Sequence, residues 1–381
     1  MITGSGIIIS LTIFVLYLVL CFVIGIQAYQ KDMSELSFKN YYLANKSLSA
    51  IEATGTCMAT LFSSFTFLGA VGIMYTSGIG FNNLILGEVF MIGLLMPTVG
   101  YRFWKLSMKH DYITPSDAVA DRFDDDKIVR VLVAIGNFLF TFFFIGVQIV
   151  GIAYVVQAFS GNLISYATTV LIIATVLAIY ITLGGMYSVV RTDLLQIVMV
   201  TIALAAVFIS LFTQDFGGHV QALLGTEKAS IIKTQQPLLG WLSSFIAFGI
   251  GMFFWPQLWQ RTFAVKQRVS LWYMAMGMMI GTLVLTFALT YPVALWGAGE
   301  WPTLEALGTS ADQIMIRFSI QSMPIALAAL ILSGATAASM STVDSQILTI
   351  TSIIQRDLIE KPFNMQIDEK KRIVIGRWMT I

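Results

Sequence analysis

Between Pro324 and Ile354 the chain is apolar enough to cross a bilayer, yet residues 333–346, SGATAASMSTVDSQ, carry eight Ser, Thr, Asp or Gln side chains. At helical spacing Gly334, Ala338, Ser341, Thr342 and Ser345 share one stripe. Small residues on that stripe let another helix approach closely, so the hydroxyls face a neighbour and not lipid. A lone Ser or Thr in a membrane helix can satisfy itself on the carbonyl of residue i−4. Several on one stripe, with Asp344 and Gln346 beside them, suit two chemistries. One is polar glue between helices. The other is an oxygen cage for sodium, a hard cation that prefers oxygen ligands. The cage needs two hydroxyls and a carbonyl from this helix, and free carbonyls from a broken helix opposite.

Two stretches offer such breaks. Residues 50–76 mix Gly55, Gly69 and Gly72 with a run of Thr and Ser, and residues 247–261 carry Gly249, Gly251 and Pro256. Proline deletes a backbone donor and clashes with the preceding turn. In hydrocarbon a freed carbonyl is tolerated only where protein, water or an ion satisfies it. Two interrupted spans in corresponding positions of two halves point to a transporter built on inverted repeats, against the plainer reading of two ordinary kinked helices.

The elements that must hold these residues follow from composition. With 57% hydrophobic and 11% charged residues, the chain is not a soluble globule. Apolar stretches long enough to span recur at roughly 6–28, 50–76, 79–101, 130–157, 163–184, 191–213, 238–258, 270–296 and 323–354, and a tenth begins near Arg372. The first lacks a basic leader and is too long for a signal peptide. With the sides alternated, only Lys228, Lys233 and Arg317 of the 22 Lys and Arg residues fall on one side. The other side, which includes Arg261, is therefore cytoplasmic and the N-terminus is outside. The segment 102–129 reads as a solvated interfacial helix or loop. The loop 214–237 reads as short helix plus coil, and Ser310 as an N-cap with Asp312 in the first turn.

Other classes find little support. Cys21 and Cys57 both lie in spans, and His110 and His219 lie in separate loops, so neither a metal centre nor clustered catalytic groups are in view. The loops carry no nucleotide fingerprint. The expected partners are the lipid bilayer and a small-molecule solute, with no nucleic acid, no organic cofactor and no obligatory protein partner.

The motifs together resemble those of the solute:sodium symporters, with the LeuT-type fold. The run GGMYSVVRTDLLQ (184–196) is similar to the family signature around its fifth core helix, with Gly184, Gly185, Thr192, Asp193 and Gln196 in place. ATAASMSTVDSQIL (335–348) resembles the eighth core helix, FWPQLWQRTFAVK (254–266) the sixth, and the Ser/Thr-rich 54–72 the first. The resemblance implies an all-α polytopic membrane protein, an inverted-repeat bundle with discontinuous helices. It is one transporter domain over 1–381: an extra span at 6–28, a first repeat at about 50–213, and a partial second repeat at about 238–381. That incomplete repeat reads as a fragment of a longer protein.

The resemblance also implies roles. Sodium, the co-transported ion, falls on the carbonyls of Ala59, Phe62 and Ala338 and the hydroxyls of Ser341 and Thr342. A second sodium site falls on Asp193, Asp344 and Ser345, with Ser341. Solute contacts come from the break in the first helix and its partners: Ser63, Ser64, Thr66, Asn82, Asn83, Glu88, Gln148 and Trp255, with Phe253 as a further gate candidate. An intramembrane carboxylate such as Glu88 is a functional expectation in its own right. The expected function is sodium-coupled symport of a small polar solute (a sugar, organic acid, amino acid or vitamin) into the cell by alternating access, in the plasma membrane. The alternative is a symporter-like sensor module of a signalling protein.

Overall fold

A computed structural model describes residues 4–32, 37–226, 229 and 237–381. Lys228 and Lys233, which bear on the topology, lie outside the described residues. The described chain is helical, with one isolated bridge between Leu48 and Val265.

Helix α1 (Gly4–Asp32) is followed by a short α2 (Phe38–Leu43) and then by the first broken span. That span is α3 (Ala50–Leu61) and α4 (Phe65–Ser77), bent by 53°. Ser49 opens α3 through a capping box with Glu52, whose carboxylate also meets Arg191 at 3.3 Å, so Glu52 is structural. Helices α5 (Asn82–His110), α6 (Pro115–Arg122), α7 (Lys127–Phe159) and α8 (Tyr166–Thr213) complete the first half. The short α9 (Phe216–Leu224) precedes the second broken span, α10 (Leu238–Phe253) and α11 (Pro256–Ala264), bent by 48°. Then come α12 (Arg268–Glu300), α13 (Ile314–Ser322), α14 (Ile325–Glu360) and α15 (Glu369–Thr380).

Helix α8 runs for 48 residues. A continuous helix of that length would be about 70 Å long, more than twice the hydrocarbon thickness of about 30 Å. The chain resolves this at Gly185, where φ is +53° and ψ is −135°, so the expected spans 163–184 and 191–213 meet at a sharp reversal. Only glycine adopts that backbone readily. A Cβ there would also collide with the Tyr41 carbonyl oxygen. With α8 counted as two spans and each broken pair as one, the nine expected spans are present, and α15 begins where a tenth was expected.

Two packed groups emerge. Helix α5 packs against α10 and α12, and α12 against α3, while α1, α7, α8 and α14 form the second group. The groups meet where α3 lies against α8 and α14. That seam carries the oxygen-rich stripe: residues 333–346 of α14 are all buried.

The segment 102–129 departs from the solvated reading. Residues 101–110 extend α5, and α6 buries Asp117, whose carboxylate meets Arg130 at 2.7 Å and Arg356 at 2.8 Å. Burial opposes ionisation of Asp117, but Arg356 and Arg130 outweigh it and hold the carboxyl at about 2. The acidic run before α7 is exposed as expected. Ser310 precedes a single turn, Ala311–Gln313, that leads into α13 without a side-chain cap bond.

Lys46 is buried beside α5, donating to the Ser107 carbonyl at 2.5 Å and its hydroxyl at 2.8 Å. Burial pushes this ammonium down from 10.5 to about 8, against the pull of Asp111. The unfolded chain thus binds more protons here than the folded one between those values, so stability rises as pH rises from 8 toward 10.5. Thermal unfolding across that range should show the rise in the native chain and a smaller one in Lys46→Met. Separately, Gly185→Ala should destabilise the fold by more than about 2 kcal/mol, read as a loss of thermal stability in the purified protein.

Candidate ion and solute site

The break between α3 and α4 falls at Phe62, whose φ of −77° and ψ of 121° turn the backbone to an extended form. Carbonyls at the end of α3 therefore lack the amide partners a continuous helix would supply. Helix α14 meets them. Ser341 Oγ donates to the Ala59 carbonyl at 2.7 Å and lies 2.8 Å from the Ala338 carbonyl. Thr342 Oγ1 lies 3.0 Å from the Thr60 carbonyl, 3.2 Å from that of Phe62 and 3.1 Å from that of Ala338. Each hydroxyl has one proton for several carbonyls, so the group is rich in acceptor lone pairs. The five positions expected to hold sodium, Ala59, Phe62, Ala338, Ser341 and Thr342, are thus brought together. All five are buried, and their ligand atoms are neutral oxygens suited to a hard monovalent cation.

A second polar cluster lies beside the first. Asp193, Asp344 and Ser345 are fully or almost fully buried. A group that the sequence reading counted only as a cytoplasmic charge joins them: Arg261 of α11, which is 0% exposed. Its guanidinium is 3.3 Å from Asp193 Oδ2, donates to Thr56 Oγ1 at 2.8 Å, and donates to Ser345 Oγ. Thr56 in turn donates to Asp193. Asp344 instead accepts from the Tyr180 hydroxyl at 2.7 Å and from Ser345 at 3.1 Å. The sequence signal for Arg261 was its place five residues after Pro256, inside the interrupted span. A charge so close to a helix break has buried carbonyls and carboxylates within reach.

A cavity of about 180 Å³ opens next to the first break. Its polar lining is Ser63, Thr66, Glu88, Thr282, Thr286 and Thr290, and Trp255 and Met252 are among its apolar walls. Four of the expected solute residues, Ser63, Thr66, Glu88 and Trp255, are therefore gathered around one space. Glu88 Oε1 is buried and has no hydrogen-bond partner there. Trp255 is the extended residue before Pro256, and its ring packs edge-on against Phe144 at 5.1 Å between centroids.

Ser64 and Gln148 are brought together elsewhere. Gln148 Oε1 accepts the Ser64 amide at 2.8 Å, and the Ser64 hydroxyl donates to the Gln148 carbonyl at 3.1 Å. Gln148 thus closes the start of α4 against α7 and does not line the cavity. Asn82 and Phe253 are not among the lining residues either, and Asn83 donates to the Trp241 carbonyl at 3.3 Å between α5 and α10. The sequence did foretell that Gln148 faces the interior. Which side of the helix break it served depended on the packing of α7.

With this geometry in place, comparison with known proteins is informative. The model of the sodium:solute symporter family matches residues 41–381. The sodium/pantothenate symporter of Haemophilus influenzae is 28% identical over 363 residues, covering 90% of this chain and 71% of that protein. The sodium/proline symporter of Escherichia coli is 24% identical over 383 residues, covering 97% of this chain and 74% of that protein. A solved structure of a Na+-coupled sialic acid symporter, in a substrate-bound outward-open state, superimposes with a TM-score of 0.83. It shares 19% identity and covers 98% of this chain and 78% of that chain.

The near-isosteric Gln148→Met removes the acceptor for the Ser64 amide. An amide left bare in a buried site should lower stability by about 1–3 kcal/mol. Thermal unfolding of the purified variant checks this.

Proposed function

This chain belongs to the sodium:solute symporter family, and from that premise we propose how its sodium-coupled symport is built from the residues described. It is a multi-pass membrane transporter of small solutes and not an enzyme. Sodium, the co-transported substrate, binds between the Ala59, Phe62 and Ala338 carbonyls and the Ser341 and Thr342 hydroxyls. One observation carries this reading. Two adjacent hydroxyls of α14 converge on the carbonyls that the break in α3 and α4 sets free.

The solute occupies the neighbouring cavity against Ser63, Thr66, Glu88 and Trp255. The unpartnered Glu88 oxygen favours a solute that presents a hydrogen-bond donor there: a hydroxyl, an amide N–H or an ammonium. The named relatives transport pantothenate, proline and sialic acid, each of which has such a donor and a single carboxylate. These three are the first solutes to test. No basic side chain is among the residues lining the cavity, so a multiply charged anion fits poorly.

Sodium joins the first broken helix to α14, and the solute contacts the same broken helix. Binding either therefore stabilises an arrangement that favours the other, by the same factor in both directions. Alternating access follows if the α3, α5, α10, α12 group rocks against α1, α7, α8 and α14. The basic residues gathered on one side support an N-terminus outside and, in a bacterial cell, insertion in the inner membrane with solute moving inward.

Sodium at 10 times its dissociation constant should stabilise the folded protein by roughly 1.4 kcal/mol over potassium at equal ionic strength. Ser341→Ala and Thr342→Ala should each erase that difference in thermal unfolding. In proteoliposomes an inward sodium gradient should then drive uptake of one of the three solutes in the native protein and not in Thr342→Ala. A sodium response that survives both substitutions would place the ion elsewhere.

A further inference from the structure

The last turns of α5, residues 101–110, carry Arg102, Lys105 and Lys109 at i, i+3 and i+7, exposed on one stripe with Leu106 among them. The inner side of these turns is fixed to the start of α12. Trp104 Nε1 donates to the Val265 carbonyl at 3.0 Å, and the Arg268 guanidinium lies over the Tyr101 ring at 4.4 Å from its centroid. These contacts bring the exposed Lys266 and Arg268 beside the stripe. Five cations therefore meet where two helices end, on the side read as cytoplasmic.

None of the five forms an ion pair among the described residues. The acid nearest the stripe in sequence, Asp111, is engaged by Lys39 at 2.7 Å and faces Lys46 at 3.7 Å. Other cations on this side are matched, Arg130 and Arg356 by Asp117 and Arg372 by Glu360. Like charges gathered without an acid repel one another, and an anion between them relieves that repulsion. The surroundings decide which anion. Arg268 heads an exposed stripe of α12 that continues at four-residue spacing through Trp272, Met276, Ile280 and Val284. Tyr273 is exposed beside Trp272. Trp and Tyr between cations and a lipid-facing apolar surface mark the level of the headgroups.

We propose that the ends of α5 and α12 form a binding site for an anionic phospholipid, with its phosphate among the five cations and an acyl chain along the exposed stripe of α12. A soluble anion gains only from the charges. A phospholipid gains also from apolar contact with Trp272 and the residues below it, which favours the lipid as occupant. By touching both helices it adds to the Trp104 and Tyr101 contacts that already tie α5 to α12, and it stabilises the fold as any ligand of the folded state does. The site shares no residue with the ion and solute site, so the proposal stands apart from the sodium-coupled reading.

The test is tryptophan quenching in the full purified chain, reconstituted in phosphatidylcholine vesicles that contain brominated phosphatidylglycerol or, at equal mole fraction, brominated phosphatidylcholine. The native chain should prefer the anionic lipid by at least about fivefold, the worth of a single cation near a charged leaflet. Arg102→Gln, Lys105→Gln and Lys109→Gln combined should abolish the preference. Lys370→Gln with Lys371→Gln, an exposed pair elsewhere on the same side, should keep it. Equal quenching by the two lipids in the native chain overturns the proposal, and so does a preference that survives the triple substitution. An equal loss in the Lys370 and Lys371 variant overturns it too, since net charge and not this site would then attract the lipid. An excess of inorganic phosphate should leave the preference in place, and its loss there would assign the cations to a soluble anion and overturn the lipid. Should the triple variant not fold, Lys105→Gln with Lys109→Gln decides in its place: the preference should fall by about fivefold for each charge removed, and an unchanged preference overturns the site.

Discussion

Everything in this molecule turns on carbonyl groups that a helix break leaves without amide partners inside a membrane. At Phe62 the backbone leaves the helical conformation, and the last carbonyls of α3 have no water to turn to. Their partners must come from another element, at close range, with hydroxyls at the right height. Helix α14 meets all three demands because its contact stripe is made of Gly, Ala, Ser and Thr. A larger residue at Ala338 would hold the helices apart, and an apolar one at Thr342 would leave the Phe62 carbonyl unpaired.

The same constraint explains why so much of α14 is buried while the other long helices expose large apolar side chains. Helix α7 presents Leu132, Phe142 and Phe143 outward, and α12 presents Trp272 and Phe287. These are ordinary faces for a lipid-facing helix. Residues 333–346 of α14 cannot face lipid, because their hydroxyls and Asp344 would be stranded there. The helix is therefore central by necessity. The two groups of helices pack on either side of it, and the seam between them becomes the place where polar ligands can bind.

Placing charges in that seam requires compensation, which is met by proximity. Asp193, Asp344 and Arg261 come from three different helices, and a single hydroxyl, Ser345, touches or accepts from two of them. The short paths mean that a change in one charge is felt by the others. An ion entering the proposed cage would thus bear on the breaks in both discontinuous spans, since Arg261 lies just past the second and the carbonyls of Ala59 and Phe62 lie at the first. Coupling between ion and solute needs no long route through the fold.

Much of this was legible from the sequence. Hydropathy set the class and the number of spans, since a bilayer demands a fixed length of apolar helix. The oxygen stripe at 333–346 and the two interrupted spans followed from residue type and helical spacing, and the family resemblance named Ala59, Phe62, Ala338, Ser341 and Thr342, positions that the fold brings together. Gly185 was in view as part of a motif, but its role as a reversal between two spans emerged only with its backbone angles. Tertiary structure alone decided three further matters. It put Arg261 in the core with Asp193, where the charge pattern had placed it simply on the cytoplasmic side. It took Gln148 and Ser64 away from the solute cavity and joined them to each other. It buried Asp117 between two arginines in a segment that reads as solvated. The physical reason is the same in each case. Periodicity and hydropathy report how one helix meets its surroundings, but a charge or an amide is satisfied by a partner far along the chain, and only packing determines which partner comes within 3 Å or so.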